Sequence, residues 1–437
     1  MNEYFLFSLL TAVAAMMSYI NTKFLKLPKA IGLIILAISF SALCAVFLPE
    51  GNFLVKALSS FDFKKTVLEG MLSFLLFANA LHFKLIDLKK EIKAVFALAS
   101  IGLLLSAAIT AVFIYSFALL IGVDLSFSYC LVFGALISPT DPIAVISTLA
   151  GNKTIPKHIK TRVVGESLFN DATGIVLFVV LSNIFFFGAG GEFGIFANTG
   201  VNYTWLLTKQ IAVEAGGGIL LGYIFAKVAL VFLNTNRDSE TSIFVTLAVA
   251  SMGYVIAHSL NVSGPIAMVV AGLFIGNSLS DSKKEYPEQV QKIDDFWVII
   301  DNMLNSFLFV LIGLELTSIP FNINAFWIGL GGIFIVTFAR FISISIPITL
   351  VDKKLSKSST KDNALVAWSG VRGGISLALA LSLPDEGNMI VGITYTVVVL
   401  SILVQGSTLK LLVNWIYPPK AEKKSANSQC ILLRNQH

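Results

Sequence analysis

The strongest constraint on this chain is a repeated pattern of long apolar stretches separated by short polar connections. A helix needs about 20 apolar residues to cross the hydrocarbon core of a bilayer. Thirteen stretches meet this requirement, at about residues 3–22, 30–48, 66–83, 94–121, 127–150, 163–187, 204–234, 241–259, 264–279, 295–316, 323–350, 363–383 and 388–416. Of all residues, 13% are charged, whereas soluble domains carry about 25%. This excludes a soluble enzyme, a disordered scaffold and a nucleic-acid-binding protein, and predicts an all-α polytopic membrane protein.

The positions of lysine and arginine predict the orientation of these spans. We number the loops between the stretches from the N-terminus. Of the lysines and arginines, 23 fall in the odd-numbered loops and the C-terminal tail, which are cytoplasmic if the N-terminus is outside, and 3 fall in the even-numbered loops. Basic residues accumulate on the cytoplasmic side, so this bias favours an outside N-terminus and a cytoplasmic C-terminus. Residues 1–417 then form the transmembrane unit and residues 418–437 a short cytoplasmic tail. The first stretch lacks the features of a cleaved signal peptide and is interpreted as a retained span.

Ionisable side chains inside the predicted spans need a reason to be there, because each costs about 2.5–3.5 kcal/mol. Several lie near span ends, where they can reach or occupy the interface: Lys209, Lys227, Lys410, Glu69, Asp294 and Asp295. The pattern does not decide the environment of Glu214 or Glu315. The residues that resist this explanation are Asp141, Glu166, Asp171, Arg340 and Arg372. We therefore consider these five to be candidate functional or structural positions.

The fifth stretch contains the sequence Ser138–Pro139–Thr140–Asp141–Pro142. Each proline removes a backbone hydrogen bond and clashes with the preceding turn, so we expect the helix to break in mid-membrane. Backbone freed at that depth is tolerated where it lines a cavity or binds something. The alternative is a simple proline kink in which Thr140 and Asp141 cap the following half-helix.

The sixth stretch places four polar side chains on neighbouring stripes of one helix. Glu166 and Asn170 are four residues apart, as are Ser167 and Asp171, so each pair shares a face. Carboxylate, amide and hydroxyl oxygens are suitable ligands for a hard cation. The alternative is a polar contact between helices, which explains two acids within one and a half turns less well. The spacing therefore favours a cation site.

Two arginines complete the set of central charges. Arg340 has apolar neighbours, and we expect it to pair with an acid because an unpaired buried charge is very unfavourable. Arg372 lies among Gly370, Gly373 and Gly374, which allow a second helix to unwind. Interruptions at corresponding places in two halves are typical of inverted-repeat transporters with a midplane site. The repeats would be residues 3–187 and 241–416, with 204–234 as a linking span.

Five separate stretches of the chain resemble one known family: residues 74–82, 134–145, 165–171, 309–316 and 370–383. In their order and spacing, the chain resembles the cation/proton antiporter-1 family, which includes NhaP-type bacterial Na⁺/H⁺ antiporters and the eukaryotic Na⁺/H⁺ exchangers. The resemblance extends over about residues 5–415. It implies about 13 transmembrane helices, an antiporter domain with two unwound crossing helices, and a dimerisation domain.

The resemblance also implies a binding site. Asp171 is expected to bind either the cation or a proton, and Asn170 is the other member of the family's Asn-Asp pair. Ser167, Thr140 and Asp141 are expected to complete or support this site. No resident metal or cofactor is expected; the transported cation at Asp171 is the one metal ion.

Further roles implied by the resemblance are structural. Glu166 and Arg340 are expected to form an ion pair, and Arg372 to offset the helix-end and carbonyl dipoles of the break. Some relatives have an acidic ligand in the third span, where this chain offers Glu69 and Asn79. Neither is assigned as that ligand.

The expected function is secondary-active exchange of a monovalent cation for protons, in the service of pH homeostasis. The cation is Na⁺, with K⁺ and Li⁺ as alternatives. Competition for one carboxylate predicts electroneutral one-for-one exchange. We expect a homodimer in a bacterial inner (plasma) membrane. A cation channel and a non-transporting sensor with the same fold are the alternatives. An enzyme is disfavoured because the three cysteines form no cluster and no histidine lies at a span centre.

Overall fold

The computed structural model describes residues 3–47, 62–141, 154–187, 203–351, 360–384 and 387–418, and these residues are predominantly helical. The α-helices are α1 (Glu3–Ile20), α2 (Lys29–Phe47), α3 (Leu72–Leu81), α4 (Leu85–Ala97), α5 (Leu103–Leu120), α6 (Phe127–Ile137), α7 (Lys157–Ser182), α8 (Tyr203–Thr235), α9 (Ser239–Ser259), α10 (Gly264–Ser282), α11 (Pro287–Leu314), α12 (Ile323–Val351), α13 (Thr360–Trp368), α14 (Gly374–Ala380), α15 (Asn388–Leu400) and α16 (Gly406–Ile416). One helical turn, Phe63–Lys65, precedes α3, and π-helical turns occupy Asn21–Leu25, Thr66–Met71, Leu98–Gly102, Asn183–Phe187 and Ser401–Gln405.

Nine helical segments of the described residues are long and apolar enough to cross a membrane, by length and composition. Two shorter apolar helices, Lys29–Cys44 and Phe127–Ile137, accompany them. The predicted span at about 66–83 begins with a π-helical turn, and the one at about 363–383 is interrupted by an unwound segment. The all-helical, multi-pass membrane class is therefore confirmed, while the count of 13 spans stays a prediction.

Several helices begin earlier than the apolar stretches predicted. The stretches expected from about 94, 163 and 295 belong to helices that begin at Leu85, Lys157 and Pro287. Apolar residues mark only the part of a helix inside lipid, and a helix with a polar face can extend beyond it. Arg162 precedes the predicted stretch at 163–187 and was therefore counted among the 23 basic residues of the loops and tail, and this assignment was wrong. It lies buried in α7, and its Nε donates to Glu91 Oε2 of α4 at 2.7 Å, so a carboxylate balances its charge.

Helix packing divides the described chain into two groups. In the first bundle, which we define as the described residues of 85–187 and 323–416, α5 packs against α6 and α12, and α7 packs against α4. In the second bundle, the described residues of 3–81 and 203–314, α10 packs against α3 and α8, and α11 packs against α2. Contacts between α7 and α10 join the two bundles. The polar residues predicted on α7 therefore lie close to the boundary between the bundles.

Two glycines four residues apart bring α10 into close contact with α3. A Cβ atom at Gly276 would lie 2.0 Å from Leu81 O, and one at Gly272 would lie 2.6 Å from Phe77 O. Close backbone approach of this kind supplies the van der Waals contact that holds helices together in lipid. Helix α3 also contacts α11, where the rings of Phe77 and Trp297 pack with centroids 4.8 Å apart. These contacts position α3 and α11 next to the candidate site.

Candidate functional site

The first unwound segment follows α6. This helix ends at Ile137, two residues before Pro139, and the chain then runs without helix to Asp141. Proline cannot donate a backbone hydrogen bond, and its ring clashes with the turn before it, which explains where the helix stops. Pro142 and the remainder of this predicted span, to residue 150, lie outside the described residues.

The second unwound segment, residues 369–373, lies between the end of α13 at Trp368 and the start of α14 at Gly374. The two segments cross, and the Asp141 N–H donates to Val371 O at 2.8 Å. Gly373 permits this approach, because a Cβ atom there would lie 3.0 Å from Asp141 Oδ2. The two crossing unwound helices that the family resemblance implied are therefore present.

Arg372 satisfies carbonyl groups that the first break leaves without helical partners. Its Nη1 donates to Ser138 O at 2.5 Å and to Pro139 O at 3.0 Å, and the side chain is buried. The backbone N–H of Arg372 donates to Ser401 Oγ at 2.9 Å. The Ser401 hydroxyl donates in turn to Gln405 Oε1, within the π-helical turn between α15 and α16. One arginine and one π-helical turn thus support both unwound segments.

The polar stripe of α7 contacts the first unwound segment through Thr140. Asn170 Nδ2 donates to Thr140 Oγ1 at 3.0 Å, and Asn170 Oδ1 accepts a longer bond from the Thr140 N–H at 3.4 Å. The hydroxyl oxygens of Thr140 and Ser167 are 3.0 Å apart, and either can donate. All three side chains are buried. This network fixes the unwound backbone against α7.

Asp171 and Asp141 line one small cavity at the crossing point. Asn79 of α3, Asn305 of α11 and Ser376 of α14 also line it. Asp171 is 9% exposed, and within the described ranges no side chain donates a hydrogen bond to its carboxylate. The cavity therefore combines two carboxylates with neutral amide and hydroxyl groups, a donor set suited to a hard cation.

Glu166 and Arg340 lie together outside this cavity. Arg340 Nη1 is 3.0 Å from Glu166 Oε1, and Nη2 donates to Glu166 Oε2 at 3.2 Å. Each side chain is 4% exposed. The pair joins α7 to α12, and its two-pronged geometry is the one that arginine favours with a carboxylate.

The two residues considered in the third span lie in different places. Asn79 lines the cavity that contains Asp171. Glu69 is exposed and lines a separate cavity of about 810 Å³, together with Glu214 and His258. The geometry thus brings Asn79, and not Glu69, next to the candidate site.

Four polar residues near the site were not predicted from the sequence: Asn305, Ser376, Ser401 and Gln405. Three of them belong to pairs with the four-residue spacing of one helix face, Asp301 with Asn305 and Ser401 with Gln405. That spacing within an apolar stretch was a signal available in the sequence. It does not say which helix the pair would face.

The fold and the site define a membrane transporter in which two unwound helices cross beside a buried carboxylate. The family model for the sodium/hydrogen exchanger transmembrane region matches residues 10–415. The chain therefore belongs to the sodium/hydrogen exchanger family, which consists of transporters and not of enzymes. This confirms the family resemblance seen in the sequence.

Individual relatives match over nearly the whole chain. The Na⁺/H⁺ antiporter NhaP of Pseudomonas aeruginosa is 36% identical to this chain, and the alignment spans 95% of this chain and 97% of the relative. The Na⁺/H⁺ antiporter NhaH of Halobacillus aidingensis is 31% identical, with 89% of this chain and 92% of the relative aligned. Among solved structures, the sodium proton antiporter MjNhaP1 of Methanocaldococcus jannaschii has the same fold, with a TM-score of 0.72 and 21% sequence identity. The superposition covers 93% of this chain and 96% of the MjNhaP1 chain.

Proposed function

We propose that this protein exchanges Na⁺ for protons and that Asp171 binds the two ions in turn. The observation that carries the proposal is a buried carboxylate beside two crossing unwound segments. Unwound backbone near the bilayer midplane is the usual setting of ion sites in secondary transporters. The names of the relatives from Pseudomonas aeruginosa and Halobacillus aidingensis, both Na⁺/H⁺ antiporters, support the same activity here.

Competition for one carboxylate couples the two ions. Protonated Asp171 is neutral and does not attract a cation, whereas ionised Asp171 is neutralised by one Na⁺. An empty, charged carboxylate is costly to move through a low-dielectric region, so the site moves when it is loaded with one ion or the other. Asn170, Ser167 and Thr140 support the site by holding the unwound segment in place, and Asp141 places a second carboxylate in the cavity.

The test is Asp171→Asn in proteoliposomes, with proton movement followed by a pH-sensitive dye. The amide has the same shape as the carboxyl group, but it cannot replace the carboxylate as the group that binds Na⁺ or a proton. Na⁺-driven proton movement should therefore disappear. Asp295→Asn, at an exposed acid on α11, serves as the matched control and should retain exchange. Persisting exchange in a folded Asp171→Asn protein would refute the assignment.

The same assay separates this function from the two alternatives. A channel would dissipate a Na⁺ gradient without moving protons. A sensor without transport activity would move neither ion. Scanning Na⁺, K⁺ and Li⁺ in the wild-type protein identifies the cation that is exchanged.

We further propose that exchange is electroneutral, one cation for one proton. Asp171 is one titratable group, and the carboxylate of Glu166 is occupied by Arg340. Net movement of one charge would feel about 2.3 kcal/mol per 100 mV, whereas neutral exchange does not respond to voltage. The measurement is Na⁺/H⁺ exchange under a potassium–valinomycin clamp, after verifying that K⁺ is not itself carried. A rate or end point that shifts with potential would mean that a second group, such as Asp141, also titrates.

Three architectural features complete the proposal: a homodimer, an outside N-terminus, and a cytoplasmic C-terminus in a bacterial plasma membrane. The bias of basic residues supports the orientation, and the family resemblance supports the dimer. A cysteine placed at exposed Tyr4 in a cysteine-free background should react with an impermeant maleimide in intact cells. Light scattering of the purified protein should give the mass of two chains.

A further inference from the structure

Asn305 lies at the candidate site but belongs to a different bundle from the two carboxylates. It lines the same cavity as Asp141 and Asp171, and it is 3% exposed. Both carboxylates belong to the first bundle, whereas Asn305 lies on α11 of the second bundle. It is therefore positioned to add a polar group to the site across the boundary between the bundles.

Asp301 fixes the orientation of the Asn305 amide. Asn305 Nδ2 donates to Asp301 Oδ1 at 2.9 Å and to Asp301 O at 2.8 Å, one turn earlier on the helix. Rotating the amide by 180° would place its oxygen against these two acceptors, which would repel it. The amide nitrogen is thus committed to Asp301. The amide oxygen, Oδ1, is buried and has no hydrogen-bond partner in the part of the chain that the structure describes.

A buried carbonyl oxygen without a donor is unfavourable, and such groups in native proteins usually have a ligand or a functional role. Ionised Asp141 and Asp171 cannot satisfy it, because carboxylates accept hydrogen bonds and do not donate them. A neutral amide oxygen together with carboxylates is, by contrast, a ligand set that binds a hard cation.

We propose that Asn305 Oδ1 is a ligand of the transported cation, supplied by the second bundle to the ion that Asp171 neutralises. This inference rests on the proposed function. Asp301 acts as a positioning residue that turns the carbonyl oxygen toward the ion. Because Asn305 and Asp171 lie in different bundles, relative movement of the bundles would change the number of ligands around the cation.

An amide oxygen distinguishes the cation from the proton. It coordinates Na⁺, but it does not accept a proton in the neutral pH range. Removal of the oxygen should therefore weaken Na⁺ binding without changing proton binding to Asp171. When the two ions compete, the KM for Na⁺ then rises by the same factor at every pH, while the maximal rate stays the same. A residue that merely supports the fold would lower the maximal rate or the amount of folded protein.

The experiment compares initial rates of Na⁺/H⁺ exchange in proteoliposomes over a range of Na⁺ concentrations and pH values. For Asn305→Leu we expect the KM for Na⁺ to rise about tenfold and the maximal rate to change less than twofold. Asp301→Asn should give a smaller rise, because the amide is then free to rotate. Asn302→Leu, at the exposed neighbouring asparagine of the same helix, is the control and should keep the wild-type KM.

An unchanged KM in folded Asn305→Leu would overturn the inference. If that variant does not fold, Asn305→Ser is examined by Na⁺-dependent thermal stabilisation, since a ligand that binds only the folded protein raises its stability by RT ln(1 + [L]/Kd). A Na⁺ dependence of stability that gives the same Kd as the wild-type protein would also overturn it. Failure of the proposed function is distinct, because the wild-type protein would then show no Na⁺-driven proton movement.

Discussion

Removal of one member of the ion pair between Glu166 and Arg340 has a predictable energetic cost. Both side chains are 4% exposed, and the two nitrogen–oxygen distances are 3.0 and 3.2 Å. Two unit charges about 4 Å apart attract each other by about 4 kcal/mol at an effective dielectric constant of about 20. Desolvation of both ions offsets much of this attraction, so the intact pair itself adds little to stability. The large effect comes from leaving one charge alone.

The perturbation is Glu166→Gln, which leaves the Arg340 guanidinium buried and uncompensated. Arg340 Nε already lacks a hydrogen-bond partner among the described residues. Gly370 packs directly against it, and a Cβ atom at Gly370 would lie 2.1 Å from Nε, so the side chain has little room to move. Breaking a buried pair on one side costs about 3–5 kcal/mol. We expect losses of this size for Glu166→Gln and for Arg340→Met.

The assay is a double-mutant cycle, with unfolding followed in mixed micelles of mild detergent and sodium dodecyl sulfate. The double variant should lose about 1–3 kcal/mol less than the two single variants together, because it leaves no isolated charge. The control is Lys292→Gln, which removes an exposed bridge to Glu288 and should change stability little. Additivity within about 0.5 kcal/mol would refute the reasoning, since it would show that the two charges do not interact.

Two further predictions concern packing around the site. Gln405→Leu removes the acceptor of the Ser401 hydroxyl, which in turn supports the backbone of Arg372. It should lower the free energy of unfolding by about 1–3 kcal/mol and slow exchange. Unfolding in detergent and ion flux measure these two effects, and wild-type values in both assays would contradict the prediction. Gly276→Leu forces a side chain into the backbone of α3, so the variant should no longer give a monodisperse peak in size-exclusion chromatography. The control is Gly70→Leu, which should be tolerated because an added Cβ atom at Gly70 would meet nothing within 4 Å.

Much of the fold could be predicted because lipid imposes simple rules on the sequence. The apolar stretches predict where helices cross, and Pro139 predicts the end of α6 because its effect on a helix is local. Glycines around Arg372 likewise predict the second unwound segment. That the two segments cross came from the family resemblance, because the hydrogen bond from Asp141 to Val371 joins residues far apart in the chain.

The features that escaped prediction depend on contacts between distant helices. Helix α4 begins at Leu85 and not near 94, because hydropathy does not mark the part of a helix that leaves the lipid. The partner of Arg162 is Glu91, 71 positions away, and no local pattern links them. Asn305 was missed for the same reason. Its spacing from Asp301 indicates a shared helix face, but its position beside the carboxylates follows from how α11 packs.

The charges at the centre of the protein bear on the stoichiometry of exchange. The five ionisable residues set well inside the predicted spans are three acids, Asp141, Glu166 and Asp171, and two arginines, Arg340 and Arg372. With all five ionised, their formal charges sum to one negative charge. One Na⁺ or one proton neutralises that charge, so both loaded states have the same net charge within the membrane. We infer that the low cost of moving either loaded state, and the high cost of moving the empty one, favour exchange over leakage of a single ion.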